Sequence, residues 1–160
     1  MNIFEFARNQ ETQAEKNYRS LAEGTITIGL KNIFTRLADA EKRHFEIIQK
    51  MEKAEKFEII TSDILDYAQE AINKMKSGKE KFKTVTSQIG IYKAAQAQEA
   101  EAERFYREYS EKSTDEHQRI VILGLAKEEH QHFTVLENII DFINFPANHP
   151  EDAEFNASKE

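Results

Sequence analysis

The sequence predicts an all-α protein folded as a four-helix bundle with one long crossover connection. Two observations lead to this prediction. The 160 residues contain only five glycines and two prolines, so they offer few of the breaks that many short strands would need. Four long segments repeat apolar residues at spacings of three and four, which is the period of an amphipathic helix. The absence of cysteine excludes disulfide scaffolds, cysteine-ligated metal sites and thiol nucleophiles.

The first two helices are predicted from about Asn2 to Glu23 and from about Thr27 to Lys53. Asn2 followed by Glu5 three residues later fits a capping box at the start of the first helix. Gly24 then supplies a residue at which helices commonly end. Because only a short connection follows, we expect these two helices to pack antiparallel.

The crossover is predicted over about 54–86, between the second and third long helices. Its periodicity breaks at 59–62, a shorter helix fits 63–76, and Ser77-Gly78 with the lysine-rich run after it is typical of a loop. About thirty residues suffice to carry the chain back along a bundle. The sequence therefore predicts a four-helix bundle with one long crossover between its second and third helices.

The last two long helices are predicted from about Thr86 to Lys112 and from about Thr114 to Ile143. Ser113 with Glu116 fits a capping box for the fourth. Pro146 and Pro150 then predict the end of the helix, since proline removes a backbone donor. The sequence is thus divided into a helical domain over 1–145 and an acidic, partly ordered C-terminal tail over 146–160.

Charge and hydropathy exclude several classes of partner. The formal net charge of −7 and the pI near 5.4 argue against a nucleic-acid binder, which needs a basic footprint. No stretch approaches the roughly 18 uncharged residues of a membrane span, and the first residues lack the layout of a secretory signal. We expect a cytoplasmic protein that binds neither nucleic acid nor a membrane.

Two Glu-x-x-His pairs carry the chemistry of this sequence: Glu41 with His44, and Glu129 with His132. A spacing of three places both side chains of a pair on one helical face. Each pair interrupts an apolar stripe, between Leu37 and Ile48 in the second helix and between Leu125 and Leu136 in the fourth. The pairs are therefore predicted to point into the core rather than to solvent.

The first and third helices carry a matching anomaly, because Glu11 and Glu99 also lie on inward stripes. Each is followed seven residues later by a tyrosine, Tyr18 or Tyr106. Four buried carboxylates would repel one another strongly, and each would lose its hydration. A bound cation is the simplest remedy.

The spacing of these residues supports a single shared site. Every member of the first half recurs 88 positions later: Glu11 and Glu99, Tyr18 and Tyr106, Glu41 and Glu129, His44 and His132. At about 1.5 Å per residue, the glutamates of paired helices also lie at similar heights. Four carboxylates and two imidazoles suit two metal ions with mixed oxygen and nitrogen ligands.

This combination, over about residues 2–143, resembles the ferritin-like superfamily and most closely the rubrerythrin family. The resemblance implies a ferritin-like bundle that binds two iron ions, with manganese or zinc as substitutes. It implies that the metal ligands are Glu11, Glu41, His44, Glu99, Glu129 and His132. Glu41 and Glu129 are then the catalytic ligands, terminal or bridging with redox state, and Tyr18 and Tyr106 hydrogen-bond the ligand carboxylates.

The same resemblance implies an oxidoreductase, since the family reduces hydrogen peroxide or oxidises ferrous iron with oxygen or peroxide. An enzyme of this family can work as a homodimer. Full-length rubrerythrins add a cysteine-ligated rubredoxin domain, which a chain without cysteine lacks. A peroxidase would therefore need an external electron donor protein, whereas in ferroxidation the ferrous iron is itself the donor. Rubrerythrins usually carry a further glutamate where this chain has Ala102, and its loss favours ferroxidation.

Other functions and residues stay open at this stage. The alternatives are a non-catalytic metal-binding or iron-storage protein and a helical interaction protein with a buried salt network. Glu15 and Glu103 lie four residues beyond two ligands, either at the edge of the site or as alternate ligands. His130 is predicted on the surface, and the lysines of 79–83 form either a solvated loop or a docking point for an acidic donor.

Overall fold

A computed structural model describes residues 2–57, 62–78 and 88–148. Over these ranges the chain forms five α-helices and no strand: α1 (Ile3–Gly24), α2 (Ile28–Glu52), α3 (Ile64–Lys76), α4 (Ile89–Lys112) and α5 (Glu116–Asn148). The all-α prediction is confirmed. No helix in these ranges has the length and apolar character needed to cross a lipid bilayer.

Two helical hairpins form the bundle, because α1 packs along α2 and α4 packs along α5. At the start of α1, Asn2 Oδ1 accepts a hydrogen bond from the Glu5 amide at 2.8 Å, as a capping residue should. The predicted cap of the last helix is wrong. Ser113 ends α4 instead, and Asp115 Oδ1 accepts from the Gln118 amide at 3.1 Å, because α5 begins only at Glu116.

The crossover contains α3, which matches the shorter helix predicted over 63–76. This helix packs against α2 and α5 and buries Ile64, Ala68, Ile72 and Met75. It therefore adds to the apolar cluster that it shares with α2 and α5. The residues predicted to break the pattern at 59–61, the lysines of 79–83 and the predicted helix start at Thr86 lie outside the described residues.

Helix α5 ends later than predicted, at Asn148 rather than near Ile143, and it passes through Pro146. The prediction that Pro146 ends the helix is wrong. The fixed φ of proline is compatible with a helix, and its missing N–H removes one backbone hydrogen bond. The rest of the predicted tail, with His149 and Pro150, lies outside the described residues.

Two apolar clusters form the core, and each long helix contributes to both. Along α2, Leu30 to Ala38 belong to the first cluster, and Ile48 and Met51 belong to the second. Along α5 the order is reversed, with Val121 to Ala126 in the second cluster and Val135 to Ile143 in the first. The two Glu-x-x-His pairs lie between these stretches in both helices. The fold thus places a polar layer between two apolar ones.

Alanine substitutions at two glycines should change the free energy of unfolding in opposite directions. Gly124 lies inside α5, where an added Cβ would meet no atom within 4 Å. Gly124→Ala should therefore raise the free energy of unfolding by about 0.5–1 kcal/mol. Gly78, just after α3, has a φ of +74°, so Gly78→Ala should lower it by about 1–2 kcal/mol. Urea unfolding checks both, and a change of the same sign in the two variants would contradict this geometry.

Candidate metal centre

All six residues that the sequence singled out as ligands are buried in the polar layer. Their exposed fractions are 2% for Glu11, 0% for Glu41, 1% for His44, 3% for Glu99, 1% for Glu129 and 0% for His132. Ionisable side chains are almost never buried to this degree unless they are paired or bind a metal. The layer is therefore a site rather than a stretch of ordinary core.

The six residues form two overlapping groups that could each hold a metal ion. One consists of Glu11, Glu41, His44 and Glu129, and the other of Glu41, Glu99, Glu129 and His132. Within each group, one potential ligand atom per residue lies within 4.8 Å of the others. Glu41 and Glu129, the shared carboxylates, belong to both groups. Glu11 and Glu99, the terminal carboxylates, belong to one group each.

Both histidines face the carboxylates through Nδ1. His44 Nδ1 lies 2.8 Å from Glu129 Oε1, and His132 Nδ1 lies 2.9 Å from Glu41 Oε1. The two rings are nearly parallel, with an interplanar angle of 5° and centroids 5.6 Å apart. The repeat of 88 positions in the sequence therefore appears in space as two equivalent halves of one site.

The two tyrosines hold the terminal carboxylates across the bundle. The Tyr18 hydroxyl on α1 donates to Glu99 Oε1 on α4, and the Tyr106 hydroxyl on α4 donates to Glu11 Oε1 on α1. Each tyrosine is 2% exposed. One oxygen of each terminal carboxylate is thereby fixed, and the other remains available to a cation.

Several buried polar atoms of the site have no hydrogen-bond partner among the described residues: Glu11 Oε2, Glu41 Oε2, Glu99 Oε2 and His132 Nε2. A buried polar atom without a partner costs about 1–3 kcal/mol. Two divalent cations would satisfy the three carboxylate oxygens, and carboxylates with imidazoles suit iron, manganese and zinc. The residues therefore fit a pair of such ions.

The pKa values of the four glutamates are shifted in opposite directions. Burial raises the pKa of both shared carboxylates well above the usual value, and the neighbouring carboxylates raise it further. For the terminal carboxylates burial acts in the same direction, but hydrogen bonds and the nearby imidazoles outweigh it. The pKa of Glu11 is lowered, and that of Glu99 falls to about 2.

Both imidazoles respond to this excess of carboxylates. Burial alone would lower the pKa of His44 and of His132, but the nearby glutamate charges, Glu11 and Glu129 for His44 and Glu99 for His132, raise it instead. Without a metal, the shared carboxylates and the imidazoles therefore tend to keep protons. A metal ion has to displace those protons when it binds.

Residues at the edge of the site have partners outside it. Glu15 accepts a hydrogen bond from Arg19 at 2.7 Å, and Glu103 accepts one from Arg107 at 2.8 Å. His130 lies 2.9 Å from Glu103 and is on the surface, as expected. Among the described residues, neither Glu15 nor Glu103 belongs to a potential metal group.

Glu128 is the residue that the sequence reasoning missed. Its Oε2 contacts His44 Nε2, on the side of the ring that faces away from the carboxylates. A residue next to an inward ligand is expected to point elsewhere on the helix, so helical periodicity gave no signal. The only trace in the sequence is that the matching position of the first half is Ala40, so the repeat fails there.

A cavity of about 200 Å³ leads to the site between α1 and α4. It reaches all four carboxylates of the site, and its lining includes the small side chains Ala14, Ala95 and Ala102. These two helices are in far looser contact than the helices within each hairpin. A small molecule can therefore approach the carboxylates from this side.

A family model for rubrerythrin matches residues 2–140. The chain belongs to the rubrerythrin family. This is a ferritin-like family that binds two iron ions, so the predicted family is confirmed, and no rubredoxin domain is evident in these 160 residues. Neither the curated proteins nor the solved structures that were searched include a match to the chain.

The raised pKa values predict how the stability of the metal-free protein depends on pH. The shared carboxylates and both imidazoles have a higher pKa when folded, so their stabilisation is lost as pH rises through the folded values. The terminal carboxylates lose theirs only in acid, well below the ordinary value of 4.5. The free energy of unfolding should therefore fall as pH rises from the ordinary carboxylate value of 4.5 through the ordinary imidazole value of 6.5 and above it.

Urea unfolding in the presence of a chelator measures this dependence. The control is the same series of measurements without chelator and with two equivalents of zinc. Because bound ions replace the protons, the free energy of unfolding should then fall less with pH. Stability of the metal-free protein that stays level or rises over this range would contradict the electrostatics described here.

Proposed function

We propose that this protein is a di-iron oxidoreductase that reduces hydrogen peroxide, oxidises ferrous iron, or does both. The observation that carries the proposal is the pair of buried ligand groups that share Glu41 and Glu129 and can be reached through a cavity. Membership of the rubrerythrin family supports it, because the family consists mostly of oxidoreductases.

In this proposal each half of the site holds one ion. Glu11 and His44 would bind the first ion, Glu99 and His132 would bind the second, and the shared carboxylates would contact both. Four carboxylates balance the charge of two divalent ions, which matters for side chains that are almost fully buried. When bound, two ferrous ions supply the two electrons that cleave the O–O bond of a peroxide.

The surrounding residues keep the ligands in place and limit what can enter. The Tyr18 hydroxyl keeps its proton, because burial and the charges of Glu99 and Glu41 raise its pKa well above the usual value. It therefore continues to donate to Glu99 throughout the neutral pH range. Gln10, Gln13 and Gln98 line the cavity together with Glu101 and the site carboxylates, and a lining without a positively charged side chain suits a small neutral oxidant such as hydrogen peroxide or oxygen.

The source of electrons separates the two activities. A peroxidase would take them from an external donor protein, whereas a ferroxidase takes them from ferrous iron, which is then the substrate. Ala102 lines the cavity where most rubrerythrins have a glutamate. The remaining set of six ligands is nearly symmetric, and this favours ferroxidation.

Stopped-flow spectroscopy tests the proposed activity. Protein loaded anaerobically with two ferrous ions is mixed with hydrogen peroxide or with oxygen, and the absorbance of ferric iron is followed. At least one oxidant should react faster than it does with ferrous iron in buffer, because the site holds two ions next to a cavity for the oxidant. If neither oxidant does so, the oxidoreductase proposal is wrong.

Two further measurements separate the outcomes. Continued oxidation of excess ferrous iron indicates a ferroxidase, whereas turnover of peroxide only with an added reducing protein indicates a peroxidase. Size measurement tests storage, since storage needs a closed shell of many subunits. A dimer without a mineral core would contradict storage.

Substitution of a shared carboxylate should abolish the reaction. Glu41→Ala and Glu129→Ala each remove a ligand from both metal groups, so neither ion keeps its full set. The exposed Glu137 on α5 provides the matched control Glu137→Ala. Metal content, circular dichroism and oxidation rate are measured together. Wild-type oxidation rates in folded Glu41→Ala or Glu129→Ala would refute the proposed site.

A further inference from the structure

The two halves of the site differ at one point, on the outer side of the histidines. His44 Nε2 hydrogen-bonds the Glu128 carboxylate. His132 Nε2 is buried, and no group among the described residues accepts a hydrogen bond from it. The position equivalent to Glu128 is Ala40, which is 1% exposed and has no polar side chain to offer.

Glu128 fixes which nitrogen of His44 is free to bind an ion. Because Nε2 donates its hydrogen to the carboxylate, the lone pair of a neutral ring lies on Nδ1. That atom faces the site, 2.8 Å from Glu129 Oε1 and 3.4 Å from Glu41 Oε2. A carboxylate behind an imidazole also makes it a stronger metal ligand. Among the described residues, His132 Nε2 has no carboxylate that would fix its tautomer or strengthen it as a ligand.

Glu128 reaches His44 from a partly buried position beside a second cavity. The side chain is only 17% exposed and lines a cavity of about 330 Å³ between α2 and α5, together with Arg43 and Lys50. This cavity is distinct from the one between α1 and α4, so Glu128 acts on the site from another face of the bundle.

We propose that Glu128 is a positioning residue that makes the two metal positions unequal. The position formed with Glu11 and His44 binds a divalent transition-metal ion more tightly than the position formed with Glu99 and His132. The inference rests on the metal centre of the proposed function and is independent of which oxidation that centre performs.

Titration of the metal-free protein with cobalt(II), followed by its visible absorption, tests this inference. The wild type should bind two ions in two separate steps. Glu128→Gln should weaken the tighter step by about 10- to 100-fold and leave the weaker step unchanged. Glutamine has almost the same size, and a thermal melt of the metal-free protein verifies its fold.

The chain offers a matched control in Glu103→Gln. This substitution removes another carboxylate from a histidine, since Glu103 Oε1 lies 2.9 Å from His130 Nδ1. That histidine is on the surface and outside both metal groups, so both cobalt steps should stay at their wild-type values.

Nuclear magnetic resonance of the zinc-loaded, ¹⁵N-histidine-labelled protein gives a second readout. In the wild type, the His44 Nε2 proton should resonate further downfield than that of His132, and only the His44 signal should move in Glu128→Gln. If the protein binds two cobalt ions but Glu128→Gln changes neither a step nor this signal, the role of Glu128 is wrong. Equal weakening of both steps also overturns it. Failure to bind cobalt at all would overturn the metal centre as well.

Discussion

The burial of four glutamates between two apolar layers is the constraint on which the rest of this structure depends. Each carboxylate has lost its water, and each lies close to others of the same charge. Two imidazoles and two tyrosine hydroxyls offset part of this cost, yet within the described residues three carboxylate oxygens still lack a hydrogen-bond partner. Protein groups alone therefore leave the layer unsatisfied. Two divalent cations could supply the missing positive charge, because the six buried residues form two groups able to hold a metal ion.

The potential metal ligands are divided between the two helical hairpins. Within each hairpin, one helix contributes a terminal carboxylate and the other contributes a Glu-x-x-His pair. The tyrosines connect the hairpins, because Tyr18 and Tyr106 each reach the terminal carboxylate of the opposite half. Tight packing within the hairpins keeps the ligands in register. Loose packing between α1 and α4 leaves room for the cavity through which the carboxylates can be reached.

Most of this site could be predicted from the sequence because it follows helical periodicity. Glu41, His44 and their equivalents interrupt apolar stripes, and the repeat of 88 positions brings both halves to the same height. Features that depend on local geometry could not be predicted in this way. Ser113 and Asp115 are both good capping residues, and only the actual helix start distinguishes them. Glu128 points toward His44 of the neighbouring helix, a contact between helices that the pattern within α5 does not encode.

Two positions around the metal centre, Ala102 and Glu128, distinguish this chain from the usual rubrerythrin pattern or distinguish the two halves of its site. Rubrerythrins usually carry a further glutamate near the third-helix ligand, which makes the ligand set itself unequal. Here that position is Ala102, a small residue that helps to keep the cavity open. The asymmetry instead lies behind His44, where Glu128 acts through the imidazole and adds no ligand. The oxidant would then meet two ions with identical ligand types but unequal affinity. A site of this kind can keep one ion as a resident while the other exchanges, and this is what a centre needs if ferrous iron is both its cofactor and its substrate.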